Sequence, residues 1–115
     1  MEVPVVTTAA LLEAAVERGI EVLEHPNGIF RVALAQLPET ILLVQEFNLV
    51  VLGLDGLLLD GAVIVPLIDF IADFSAIAGS WEHRVRDSAS QASEVVTVWG
   101  VGPTHVELTL DGLED

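Results

Sequence analysis

Asp69, Asp73 and His83 are the side chains of this sequence best suited to moving protons. The two aspartates lie four residues apart in PLIDFIADFSAIAGS, from Pro66 to Ser80. At 100° per residue they share one narrow stripe with Pro66, Ala76 and Ser80, while Leu67, Ile71, Phe74 and Ala78 fall opposite. Facing a pocket, such a pair would repel, leaving one carboxyl protonated as an acid and the other charged as a base. His83 points to the same side as Trp81 in the alternating WEHRVR and would be a second proton carrier. Trp81 and Trp99 would line an apolar ligand site. The plainer reading makes the aspartates the wet edge of an amphipathic helix and the tryptophans part of the core.

Other chemistry is poorly supplied. The chain has no cysteine, lysine or tyrosine, so thiolate, Schiff-base and lysine phosphate-clamp chemistry are absent. No GxSxG elbow or phosphate-binding glycine loop occurs, and Ser88, Ser90 and Ser93 fall in a polar stretch unsuited to holding a nucleophile. His25, His83 and His105 stand apart, without HExxH, His-x-His or EF-hand spacing, so neither a metal nor another cofactor is expected. Arg84 and Arg86, half of all the positive charge, share one face beside Glu82. They are candidates for an interaction spot taking a carboxylate or an acidic copy of the chain, against the simpler role of surface ion pairs.

The elements that would position these groups follow from local pattern. Thr7 and Thr8 offer an N-cap, AALLEAAVER favours helix and Gly19 stops it, giving a helix over 8–18 with Leu11, Leu12, Ala15 and Val16 inward. IEVLEH (20–25) and IFRVALAQ (29–36) flank Pro26-Asn27-Gly28 as a hairpin closed by Leu37-Pro38. Residues 39–53 fit either state, and their β-branched and aromatic content favours a long strand. Asp55-Gly56 and Asp60-Gly61 signal turns. Pro66 and Gly79 bound a second, central helix at about 65–78. Period two then predicts strands at 81–86, 94–102 and 104–110, with DSASQAS (87–93) as a polar loop. The sum is a single α+β domain over 1–115, an antiparallel sheet with two helices packed mainly on one face.

Composition bounds the function. Hydrophobic residues make up 52% of 115 residues, yet 18 acids against four arginines leave a formal charge of −14. The surplus of apolar residues suggests burial against a second copy or a partner. The charge repels nucleic acid and anionic membranes and permits a basic partner. Carboxylates interrupt the apolar middle before it reaches the roughly 20 residues of a membrane span. The N-terminus carries an acid where a signal peptide is basic, so a cytoplasmic location is expected. The absence of lysine fits coding from a GC-rich genome.

Three functions suit this profile. The first is a non-catalytic protein–protein interaction module, either a self-associating subunit or an acidic inhibitor or immunity-type binder of a basic protein. The second is a small pocket protein that binds an apolar molecule, or an acid–base enzyme using Asp69, Asp73 and His83. The third is a nucleic-acid mimic whose carboxylates stand in for phosphates.

Overall fold

The computed structural model describes residues 6–23 and 29–114. Helix α1 (Thr8–Glu17) comes first, followed by strand β1 (Ile29–Ala33), helix α2 (Leu37–Glu46) and the long strands β2 (Val50–Asp60) and β3 (Val63–Asp73). Helix α3 (Trp81–Trp99) and strand β4 (His105–Asp111) complete the chain. The strands form one antiparallel sheet in the order β1-β4-β2-β3. This is an α+β architecture, as the sequence predicts, with three α-helices where two are expected.

The core lies between one face of the sheet and the helices. Val106, Leu108 and Leu110 of β4 alternate inward, and Phe30 and Val32 of β1 stand opposite Leu108 and Val106. Leu54 of β2 continues the Leu108 row. Leu11 and Ala15 of α1, Ile41, Leu43 and Val44 of α2, and Ala89 and Ala92 of α3 close over this face. Period two on the strands and 3.6 on the helices bring these apolar sets together.

Local chemistry explains the α1 boundaries. The Thr7 hydroxyl accepts the Ala10 amide at 3.1 Å, and Gly19 takes a positive φ of 73° just past the helix. Of the predicted inner face, Leu11 and Ala15 are buried and Leu12 is half-buried, whereas Val16 stands in solvent.

Four expectations are corrected. The helix at 65–78 is instead β3. Its neighbours Val63, Ile64 and Val65 are β-branched, and Gly61-Ala62 closes a tight turn onto β2, with Asp60 opposite Val63. Gly61 has φ 59°, as the first central residue of a type II′ hairpin requires. Pro66 is tolerated because β3 is an edge strand. A short, wholly apolar run satisfies helical and extended periods alike, and here hairpin pairing decided.

Residues 39–53 are divided rather than one strand. Pro38 opens α2 where its missing N–H costs nothing, Asn48 at φ 60° ends the turn that follows, and β2 begins at Val50. Asp55-Gly56 lies inside β2 and makes no turn. A Cβ on Gly56 would come within 2.7 Å of Phe70 and 2.9 Å of Pro103, so hydrogen alone fits.

The strands at 81–86 and 94–102, with their intervening loop, are the single helix α3. Ser80 caps it, its hydroxyl accepting the His83 amide at 3.1 Å. The small residues of DSASQAS supply the seam: Ser88, Ala89 and Ala92 are buried against the sheet and α2. Strand-like runs of six and nine residues were too short to outweigh this packing.

The fourth correction concerns the first hairpin. Residues 20–23 form no strand, although Leu23 donates its amide to the Arg31 carbonyl at 2.9 Å. The turn at 26–28 lies outside the described residues.

Candidate functional site

The tertiary structure disperses the residues nominated for chemistry. Asp69 sits in an irregular stretch of β3, where four residues, Leu67 to Phe70, oppose Gly56 alone, and it is exposed. Asp73 ends β3. It accepts the Ser75 hydroxyl at 2.6 Å and the Ser75 amide at 2.9 Å. These hydrogen bonds, the hydroxyl's foremost, hold its carboxyl below the usual range. A carboxylate so stabilised in its charged form is a poor proton donor. His83 lies in the first turn of α3, with Nε2 2.9 Å from Asp87 and Nδ1 3.2 Å from Arg86. Extended backbone spaces residues four apart by roughly 13 Å, against about 6 Å along a helix, so Asp69 and Asp73 are not brought together as a helix would have brought them.

The tryptophans are likewise separated, at the two ends of α3. Trp81 donates its indole N–H to the Asn48 carbonyl at 2.8 Å, and the Arg84 guanidinium lies 5.4 Å from its ring centre. Trp99 meets Phe70 edge to face at 5.5 Å. Each ring fastens α3 to a neighbouring segment, and no cavity joins them. His105 lies on the sheet face turned away from the helices, and His25 is outside the described residues.

All four arginines pair with carboxylates of the same chain. Arg18 bonds Glu46, Arg31 meets Glu107 at 3.1 Å, Arg84 lies 3.8 Å from Asp111, and Arg86 lies 3.8 Å from Asp87. Arg84 thus links α3 to β4 and Arg86 pairs within α3, the simpler role of surface ion pairs.

Two hollows bear on small-molecule binding, and they differ greatly in size. The space between α1, α2 and the sheet, bounded by Leu11, Ile20, Phe30, Leu43 and Leu110, measures about 10 Å³, too little for a ligand. On the face of the sheet without helices, a groove of about 290 Å³ is lined by Gly53, Asp55, Ile71, Asp73, Ser75 and Thr109. Asp55, Ser75 and Thr109 were not singled out by sequence, because only the β3-β2-β4 pairing aligns them. The groove is shallow, and its Ser75 hydroxyl donates to Asp73 with no histidine in the lining to act as base. Among the described residues no group of three histidine or acidic side chains is arranged to hold a metal. No helix among them is long and apolar enough to cross a membrane.

A larger feature is the β2–β3 hairpin, which reaches beyond the body as an arm of a molecule measuring 46 × 28 × 21 Å. β3 is its outer strand and carries Val63, Ile64, Val65, Pro66, Ile68 and Ile71 exposed, with Val63 60%, Ile68 82% and Ile71 56% accessible. From Gly61 to Ile68 there is no charged residue. Sequence marked this segment as apolar, but placed its residues from 65 onward in a central helix packed on the sheet. No family model, curated protein or solved structure matches the chain.

Proposed function

We propose that this protein is a non-catalytic interaction module that self-associates through the β2–β3 arm. The observation that carries the reading is the uncharged, apolar outer strand of that arm, exposed on a chain of net charge −14. Monomeric proteins rarely leave a contiguous apolar patch of more than a few hundred Å² in water. A protruding two-stranded ribbon is also only marginally stable by itself. Cover by another molecule answers both problems. A second copy suits the segment from Gly61 to Ile68 better than a basic protein, because that segment carries no carboxylate, the hairpin's acids Asp55, Asp60, Asp69 and Asp73 lying outside it. The dispersal of Asp69, Asp73 and His83 supports the non-catalytic part of the reading.

Light scattering behind size exclusion tests it. The unmodified chain is expected to run as a defined oligomer at micromolar concentration. Replacing Val63 and Ile68 together by Asp should weaken association by a factor on the order of 100 or more, since each buried side chain contributes roughly 1.5–3 kcal/mol. Far-ultraviolet circular dichroism should be unchanged. A chain that remains monomeric at every accessible concentration would refute self-association.

A further inference from the structure

The self-association proposed above leaves open how two arms would meet. An exposed edge strand ordinarily invites strand addition, but β3 is built against it. Leu57 gives its carbonyl to the Thr104 amide at 3.0 Å, on the β4 side. Residues of an antiparallel pair alternate between bonded and unbonded, so Leu57 and its partner Pro66 form an unbonded pair. The Pro66 nitrogen therefore lies on the outer edge, where it has no hydrogen to donate. The irregularity at Leu67–Phe70 interrupts the same edge one residue later. Contact through a face of the arm remains.

One face of the arm continues onto a second apolar surface. Leu58 lies on the helix-side face of β2, and Val65 and Val63 of β3 follow it outward, opposite Leu58 and Asp60. Beneath the root of the arm, Trp99 contacts Phe70, and the Thr104 hydroxyl accepts the Leu59 amide at 2.8 Å. These contacts fix the C-terminal end of α3 and the loop after it beside the arm. That end exposes Val98 (83%) and Val101 (95%), and no charged residue occurs from Val95 to Thr104. The uncharged segment 95–104 is thus held against the root of the arm whose outer part carries the uncharged segment 61–68, flanked by Asp60 and Asp69, in a chain with 18 acids.

We infer that the notch between the arm and the C-terminal end of α3 receives the arm of a second copy, and gives its own arm in return. A two-fold arrangement makes the contact reciprocal, with Val63 of each copy against Val98 of the other. A stable interface buries roughly 1,200–2,000 Å² in total, which the arm and notch of both copies would supply together.

The absence of cysteine makes the test direct. Val63→Cys and Val98→Cys, prepared separately, are mixed and treated with a short bis-maleimide, while mass is measured on the uncross-linked mixture. The mixture should yield several times more cross-linked dimer than either variant alone, and excess unmodified chain should suppress it. An oligomer in which the mixed pair has no advantage would overturn the reciprocal notch while leaving self-association intact. Preferential linking of Ile71→Cys to itself would move the interface to the opposite face of the sheet. A monomer would remove both proposals and assign the arm to a different protein.

Discussion

At Asp73 the carboxylate closes a local turn: it accepts the amide and the hydroxyl of Ser75, two residues on, and so ends β3. Because these bonds favour the charged form, the folded-state carboxyl titrates below its unfolded value. The turn therefore contributes stability above the unfolded pKa and loses it as pH falls through the folded one. Ser75→Ala removes the larger of the two influences. Carboxyl-detected NMR titration should show Asp73 moving up towards the ordinary aspartate range, with most of the shift abolished. An unmoved titration would mean that the hydroxyl contributes nothing to the turn in solution. The role these bonds give a residue of catalytic type is a structural one.

Helix α3 and strand β2 meet along a seam of small side chains, and the seam holds one buried polar contact. Ser88 is fully buried, and its hydroxyl accepts the Val51 amide at 3.0 Å. The β2–β4 register shifts between Val51 and Gly53, so the Val51 amide leaves the ladder there and is satisfied by the helix instead. Ser88→Ala strips this donor of its partner in a dry environment. Denaturant unfolding should show a loss of about 1–3 kcal/mol with an unchanged denaturant slope. Ser93→Ala, an exposed position on the same helix whose hydroxyl only returns to the Ala89 carbonyl, should be nearly neutral.

For the whole molecule, charge and apolar surface are segregated. The four arginines neutralise acids of their own chain, so the remaining carboxylates set the outer field. Two such molecules repel at a distance, and the proposed contact uses segments of the arm and the end of α3 that carry no charge. Salt shortens the range of that repulsion from about 8 Å at physiological strength to about 3 Å at 1 M. Self-association should therefore tighten as sodium chloride is raised, as read by sedimentation equilibrium at low and high salt. A complex held by attraction between this acidic chain and a basic protein would weaken over the same range. Loosening of the homo-oligomer with salt would contradict an uncharged interface.

What the sequence by itself determined was whatever depends on near neighbours and on composition. Thr7, the alanine- and leucine-rich stretch after it and Gly19 specify α1, because capping and propensity act within one or two turns. Val106, Leu108 and Leu110 specify β4, because alternation over seven residues has one half-buried solution. The charge, the lack of cysteine, lysine and tyrosine and the α+β class follow from counting and from period. Tertiary structure decided the rest. Gly61-Ala62 folds Val63–Asp73 back onto β2, and ladder hydrogen bonds between distant residues then outweigh a stripe that would have suited a helix. The small residues 88, 89 and 92 look like a loop until a sheet and α2 stand opposite them, and only then does their size become close packing. Asp69, Asp73, His83 and the tryptophans had the types for a site but not the geometry, since extended backbone and the two ends of a 19-residue helix hold them apart. The exposed arm emerges at the same level: it exists only because β3 pairs on one side and has no strand on the other.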